Sequence, residues 1–216
     1  MSQDLLSTIA GPVEHRLEVK RSVFLTQLTP VDSVAAADAV VASARKLHWD
    51  AAHNCVALVV GPHGERQRSN DDGEPAGTAG APMLEVLRHR GVTDLVAVVT
   101  RWFGGTLLGA GGLVRAYGGA VSAALDEAVL VDRVHLTRVT ALAPHADAGR
   151  LLAYLHQWVD ENDAVLDEPV YAEVAHLGVR VAPELVATLQ ADIAGLTGGT
   201  VTARVGETEI VDRPRR

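Results

Sequence analysis

The sequence is poor in cysteine, lysine and aromatic residues, and it contains no long apolar run. Cys55 is the only cysteine, which excludes an intramolecular disulfide and is typical of proteins of the reducing cytoplasm. No apolar stretch approaches the roughly 20 residues that span a membrane. The N-terminus also lacks the basic segment and apolar core of a signal peptide. We therefore expect a cytoplasmic protein that is neither secreted nor inserted in a membrane.

Acidic side chains outnumber basic ones, and the net charge is −8. Residues 1–133 carry 12 basic and 15 acidic side chains, whereas residues 134–216 carry 7 and 12. An acidic protein binds nucleic acid only through a local basic patch. The charge asymmetry favours the N-terminal half as the place for such a patch.

The first half of the chain alternates strand and helix patterns. Apolar and polar residues alternate near 14–19, which predicts a strand, and Ser33 is the expected N-cap of an alanine-rich helix over 33–48. The remaining elements are expected, in chain order, as a strand over 51–61, a polar loop over 61–70, a helix over 79–90, a strand over 95–100 and a helix over 113–129. We predict an α+β domain over residues 1–133.

The second half has the element order β-α-β-β-α-β, which is that of a ferredoxin-like domain. The pattern predicts a strand over 134–143, a helix over 146–158, strands over 164–173 and 174–182, a helix over 183–196 and a strand over 200–205. We place this domain at residues 134–216 and expect its last five residues to be frayed.

Two glycine-rich segments stand out in the first half. The first, residues 71–82 (DDGEPAGTAGAP), we call the acidic segment, and the second, residues 100–117 (TRWFGGTLLGAGGLVRAY), we call the glycine-rich segment. Runs of glycine persist where the backbone turns sharply or approaches another group closely. Together the two segments indicate one composite contact surface.

Three carboxylates of the acidic segment, Asp71, Asp72 and Glu74, are candidate ligands for a hard cation such as Mg²⁺. Addition of His48 or His53 would suit a softer metal. The alternative interpretation is a turn in which Asp71 caps local backbone groups or which contacts a partner. No metal is assigned, because the spacing matches no specific metal-binding signature.

The glycine-rich segment favours contact with phosphate or nucleic acid. Backbone amides that lead into a helix N-terminus attract anions, and arginines add charge-assisted hydrogen bonds. The alternative is close helix–strand packing with nothing bound. The candidate residues are Arg101, Arg115, Gly104, Gly105, Gly111 and Gly112, with the basic pairs Lys20-Arg21 and Arg45-Lys46 extending the patch or marking solvated helix ends.

Catalytic residues are not predicted, and no cofactor is expected. His53 and Cys55 would point to the same face of a strand without facing each other, so that a Cys–His nucleophile is not favoured. Cys55 is interpreted as a small buried apolar residue. Trp102 and Phe103, beside Arg101, are either core residues or a surface on which bases stack.

These residues carry a family likeness. The ordered string from Glu14 through Lys20 and Ser22-Val23-Phe24, then Ala44-Arg45, His48 and His53-Asn54-Cys55, then both glycine-rich segments, resembles the Impact family in its bacterial YigZ branch. The likeness covers about residues 10–125, and the segment after about 135 resembles the C-terminal domain of bacterial members. Trp102 stands where many members have a tyrosine.

The resemblance implies a fold for each domain. The N-terminal domain would have the βαβ fold of a small-subunit ribosomal protein and of domain IV of elongation factor G. The C-terminal domain would be ferredoxin-like, similar to the last domain of that factor. Eukaryotic members are linked to translational control, but we expect this chain to lack their N-terminal extension, so that their kinase-regulator mechanism would not transfer.

The resulting hypothesis is a non-catalytic cytoplasmic protein that contacts RNA, the ribosome or translation factors and regulates translation, without specificity for DNA. Two alternatives stay open. One is an enzyme in which the acidic segment holds Mg²⁺ beside a substrate phosphate. The other is a protein-interaction module that docks through the acidic segment.

Overall fold

The computed structural model describes residues 5–215, which fall into two compact units. The first contains residues 5–133 and 213–215, and the second contains Val134–Asp212. Both units combine helices with antiparallel strands, which confirms the predicted α+β class. None of the described helices combines the length and the apolar character needed to cross a membrane.

A five-stranded antiparallel sheet organises the first unit. Its order is β2-β3-β6-β4-β5, and a short strand β1 pairs separately with the start of β7. The strands are β1 (Thr8–Ile9), β2 (Val13–Val19), β3 (Ser22–Pro30), β4 (His53–Val60), β5 (Arg66–Asn70), β6 (Leu95–Trp102) and β7 (Leu130–Ala143). The helices are α1 (Val34–Leu47), α2 (Gly80–His89) and α3 (Ala110–Glu127).

Helices cover both faces of the central strands β4 and β6. Helices α2 and α3 pack on one face, with Cys55, Ala57 and Val99 in their cluster, and α1 packs on the other, with Val56 and Val98. Strands that are buried on both faces read as continuous apolar runs. This explains the unbroken apolar character of both segments in the sequence.

Local signals account for the start of α1 as predicted. Ser33 has extended backbone angles, and its hydroxyl oxygen accepts a hydrogen bond of 3.1 Å from the amide of Ala36. This contact satisfies one of the amide groups that a helix start leaves without an intrahelical partner.

Two predictions are wrong, and one strand of the first unit was not predicted. Residues 66–70 form the edge strand β5 rather than a loop, because pairing with β4 compensates for their lack of apolar residues. Strand β3 was missed, because Ser22 and Thr26 point inward with Phe24 and hide the period-two pattern. The last strand of the chain extends to Pro214, whereas the last five residues were expected to be frayed.

The second unit contains the remainder of β7, the elements α4 (His145–Glu161), β8 (Val165–Leu166), β9 (Val170–Tyr171), β10 (Ala175–Val181) and α5 (Val186–Thr197), and β11 (Thr202–Pro214) as far as Asp212. β7 lies between β11 and β10, and β10 pairs in addition with β8 and β9. The pairings within residues 134–181 are all antiparallel. Helices α4 and α5 share one core with the inward residues of β7 and β10. This is the predicted ferredoxin-like arrangement.

Candidate functional site

The two glycine-rich segments meet at one end of the five-stranded sheet. Strand β6 ends at Trp102, opposite Val23 and beside the β2–β3 turn, and β4 begins at His53, opposite Arg101. The acidic segment follows directly where β5 ends. We call this region, residues 20–22, 48–55, 71–80 and 101–117, the sheet-end site.

A buried ion pair lies at the centre of the sheet-end site. Arg101 Nη1 lies 2.6 Å from Glu74 Oε1, and the two side chains are 7% and 3% exposed. The Tyr117 hydroxyl donates a hydrogen bond of 2.7 Å to the same carboxylate oxygen. The guanidinium therefore points into the protein, where its charge is compensated.

The burial of Arg101 does not support the phosphate contact predicted for it. Only 6% of the residue is exposed, because β6 runs between β3 and β4 and carries the arginine under the acidic segment. A phosphate group on the surface has no access to a guanidinium that Glu74 already holds. The role of Arg101 lies in supporting the site.

Asp71 caps the start of α2, as one of the two interpretations predicts. Its carboxylate accepts hydrogen bonds from the amides of Gly77, Ala79 and Gly80 at 2.8 to 3.0 Å. Burial raises the pKa of the Asp71 carboxyl, but these three donors outweigh burial and bring its pKa below the ordinary value. Asp71 is thus a structural residue of the turn.

Asp72 ties the acidic segment to α1 and β4. Its carboxylate accepts from the guanidinium of Arg45 at 2.5 Å and from the amide of Asn54 at 2.7 Å. Its carbonyl oxygen lies 2.8 Å from His53 Nδ1. Asp72 also has a φ of 47°, an uncommon conformation for aspartate that these contacts maintain.

The three carboxylates of the acidic segment therefore diverge instead of converging on an ion. His53 Nε2 lies 3.8 Å from Glu74 Oε2, but Asp71 and Asp72 face other protein donors. Within residues 5–215 no group of three or more His, Cys, Asp or Glu side chains is placed to hold a metal ion. The predicted Mg²⁺ arrangement of Asp71, Asp72 and Glu74 is not formed.

Cys55 lies beneath the ion pair as a buried thiol. Its Sγ lies 3.0 Å from the Asp71 carbonyl oxygen, to which it donates. Burial raises the pKa of Cys55 to about 12, since a thiolate would lose its hydration there. Burial likewise raises the pKa of Tyr117 above its ordinary range. Neither group is poised as a nucleophile at neutral pH.

The glycines of the glycine-rich segment have different roles. A Cβ on Gly104 would lie 2.0 Å from the carbonyl carbon of Arg21, so that this glycine permits close packing between two backbone segments. Gly105 has a φ of 80° and is exposed. Gly111 and Gly112 lie in the first turn of α3. Their proposed contact with an anion remains a prediction.

Most of the predicted cations lie on the surface. Lys20, Arg21, Arg45, Lys46 and Arg115 are all exposed. Among residues 5–215, Lys20, Arg21, Lys46 and Arg115 make no ion pair, whereas Arg45 pairs with Asp72. Arg45 and Lys46 do occupy the last turn of α1, but Lys20 and Arg21 form a hairpin turn and not a helix end.

Sequence reasoning missed two residues of the site, Ser22 and Tyr117. The Ser22 hydroxyl receives a hydrogen bond of 3.2 Å from the Gly104 amide and lies 3.4 Å from Arg101 Nη2. Tyr117 lies on the apolar face of α3 with Leu113 and Val121. A phenol at such a position needs a buried hydrogen-bond partner, which is the signal that could have identified it.

The structure also brings exposed apolar side chains to this end. Trp49 and Leu107 are each 83% exposed, and Phe103 is 52% exposed. Trp102 instead donates its indole N–H to Asp50 at 3.0 Å and packs edge-on against His48. Exposed apolar side chains together with cations that lack an ion pair are a pattern often found at interaction surfaces.

Comparisons with known proteins agree with the motifs at this end. The model of the Impact N-terminal domain matches residues 20–125. The chain is 40% identical to IMPACT family member YigZ of Escherichia coli over 194 residues, 89% of this chain and 93% of that protein. It is 36% identical to IMPACT family member YvyE of Bacillus subtilis over 206 residues, 95% of this chain and 93% of that protein.

A solved structure also matches along most of the chain. This crystal structure of a hypothetical protein is 38% identical in sequence and superimposes with a TM-score of 0.61. The match covers 95% of this chain and 98% of the other.

Proposed function

Because the chain belongs to the Impact family, we propose that it is a non-catalytic cytoplasmic protein that contacts RNA of the translation machinery and regulates translation. The contact surface is the solvent-exposed side of the sheet-end site, which we call its outer face. Much of the family likeness lies at this site, in the two glycine-rich segments and in His53-Asn54-Cys55, and the resemblance links eukaryotic members to translational control.

One observation carries the proposal, namely the separation of charges at the sheet-end site. The carboxylates of Asp71, Asp72 and Glu74 are engaged by protein donors. The cations of Lys20, Arg21 and Arg115, and of Lys46 in the adjoining last turn of α1, are exposed and, within the described chain, without an ion pair. These exposed cations give the outer face local positive charge, although the exposed carboxylate of Asp50 lies in the same region and the chain has a net charge of −8.

Phosphate contacts of this kind have a measurable signature. Each neutralised phosphate releases counterions, so that affinity falls linearly with salt on a double-logarithmic scale. We expect cosedimentation of the protein with purified ribosomes and bulk RNA to decrease steeply as salt rises. Binding without salt dependence, or no binding below about 50 mM salt, would contradict the proposal.

A matched pair of variants locates the surface. Lys20→Gln with Arg115→Gln removes two exposed cations of the sheet-end site. Arg88→Gln with Arg90→Gln removes two exposed cations from the opposite end of α2. The first pair should weaken binding about tenfold or more at moderate salt and reduce the salt slope by about two. The second pair should change neither quantity.

A second candidate function, docking of a protein partner, is favoured by the exposed side chains of Trp49 and Leu107. Apolar contacts persist as salt rises. A Leu107→Ser variant that loses ribosome binding in high salt, while binding to naked RNA stays unchanged, would favour this function. The nucleotide-dependent alternative has no such support, because the acidic segment is engaged with protein donors.

A further inference from the structure

We propose that Phe103 is a stacking platform for an unpaired base, so that the sheet-end site takes single-stranded RNA and not duplex. This inference rests on the proposed contact with RNA and specifies its form. It depends on how the ring of Phe103 is held, on the charges beside it and on its exposure. Each of these observations is independent of the family likeness.

A column of side chains supports the ring from the core. Tyr117 packs edge-on against Phe24 with ring centroids 5.1 Å apart. The guanidinium carbon of Arg101 lies 5.5 Å from the centroid of Phe24 and 5.7 Å from that of Phe103. Phe24 and Tyr117 are fully buried, whereas 52% of Phe103 is exposed. One face of Phe103 thus rests on the cation, and the remaining ring surface is open.

The buried members of the column contact one another and Glu74. Glu74 binds both Arg101 and Tyr117 through one carboxylate oxygen, at 2.6 and 2.7 Å. We expect a buried guanidinium held in this way to keep its position when a ligand binds. Pre-organisation of this kind lowers the entropy cost of binding. It also gives Arg101 a positioning role in place of the phosphate contact predicted from the sequence.

The backbone after Phe103 is fixed as well. The Gly104 amide donates a hydrogen bond of 3.2 Å to the Ser22 hydroxyl. Gly104 approaches the Arg21 backbone so closely that no side chain fits between them. The ring is therefore presented by a constrained segment next to the β2–β3 turn.

The same packing places exposed cations next to the segment that carries the ring. Arg21 Nη2 lies 3.2 Å from the Thr106 hydroxyl, and Lys20 occupies the same turn. An open aromatic face next to exposed cations suits a nucleotide, since the base stacks while its phosphates meet the charges. In a duplex the bases are already stacked on one another. A single strand, whose bases are free to splay out, is therefore the fitting ligand.

Fluorescence anisotropy with two labelled RNAs of equal length, a uridine-rich single strand and a perfect duplex, tests the inference. Phe103→Trp keeps an aromatic face, whereas Phe103→Leu keeps an apolar side chain without one. Val129→Ala, at an exposed apolar residue outside the sheet-end site, serves as a control for loss of apolar surface. Equal unfolding midpoints of all variants would show that the exposed substitutions leave the fold intact.

We expect the wild type and Phe103→Trp to bind the single strand about tenfold or more tightly than Phe103→Leu. The wild type should also prefer the single strand to the duplex, and Val129→Ala should resemble the wild type. Salt-dependent binding that is unchanged by Phe103→Leu and equal for single-stranded and duplex RNA would overturn this inference. The proposed function would still stand. No binding of either RNA would overturn the inference. If ribosome binding were retained, that contact would be with ribosomal protein.

Discussion

Arg101 and Glu74 form an ion pair of 2.6 Å between two side chains that are almost completely buried. The residues are 27 positions apart in the chain and meet because β6 runs beneath the acidic segment. Removal of one partner leaves an uncompensated charge in the interior, which costs about 3–5 kcal/mol. This relationship makes the pair a sensitive probe of the sheet-end site.

Replacement of Glu74 by alanine should therefore lower the free energy of unfolding by about 3–5 kcal/mol, as measured by urea denaturation at neutral pH. Glu85→Ala is the matched control, because Glu85 makes only exposed ion pairs on α2. The control should change stability by no more than about 0.5 kcal/mol. Equal losses in the two variants would contradict the burial of the pair.

Substitutions in the β2–β3 turn should raise the stability of the protein and weaken its binding to RNA. Lys20 and Arg21 have φ values of 47° and 67°, a conformation that favours asparagine and glycine at these positions of a two-residue hairpin turn. Lys20→Asn with Arg21→Gly should raise the free energy of unfolding by about 1 kcal/mol or more. The same variant should bind RNA more weakly. A variant that is more stable and binds as well as the wild type would remove the turn from the contact surface.

Two glycine-to-alanine substitutions should have opposite signs. Gly104→Ala places a methyl group 2.0 Å from the Arg21 backbone, so that the turn or the segment must shift and stability should fall by about 2 kcal/mol or more. Gly119→Ala lies in α3 with no atom within 4 Å of the new Cβ, and it should stabilise by about 0.5–1 kcal/mol. Thermal unfolding of both variants is the measurement. A neutral Gly104→Ala would show that the segments are not packed closely.

Asp71 should contribute to the decrease in the free energy of unfolding at acidic pH. The pKa of its carboxyl is lowered in the folded protein from an ordinary 3.8, so that its contribution is present above that pH and is lost as pH falls through the folded pKa. Asp71→Ala should cost about 1–3 kcal/mol at pH 7, because three amides lose their acceptor. Urea titrations at several pH values should show the difference from wild type narrowing below pH 3.8. A pH-independent difference would point to steric effects alone.

Cys55 should be unreactive until the protein unfolds. Its pKa rises from 9.0 to about 12 on folding, so that the thiolate is almost absent at neutral pH. A disulfide reagent should modify no thiol in the native protein at pH 8 and one thiol per chain in denaturant, since Cys55 is the only cysteine. Because folding raises the pKa of Cys55, the contribution of this buried thiol to the free energy of unfolding should be fully present below about pH 9. That contribution should decline as pH rises toward 12. Rapid native modification would show that the site opens.

Much of the fold follows from local patterns in the sequence. The apolar runs of β4 and β6 mark strands buried on both faces, and Ser33 marks the start of α1. The order of elements after residue 133 predicts the ferredoxin-like unit. These features depend on the spacing of apolar side chains and on neighbouring polar groups, both of which a sequence displays directly.

The edge strand β5 and the roles of the charged residues were decided by tertiary structure. β5 is polar and exposed along its whole length, so that only its pairing with β4 defines it as a strand. Arg101 and Arg115 look alike as arginines of one segment, yet one is buried and the other exposed. A sequence displays the charge of a side chain, but its exposure and its ion partner depend on which strand ends coincide in space. The sequence determined that charges and glycines gather in two segments, and the fold alone decided which charges face inward to hold the site and which face solvent.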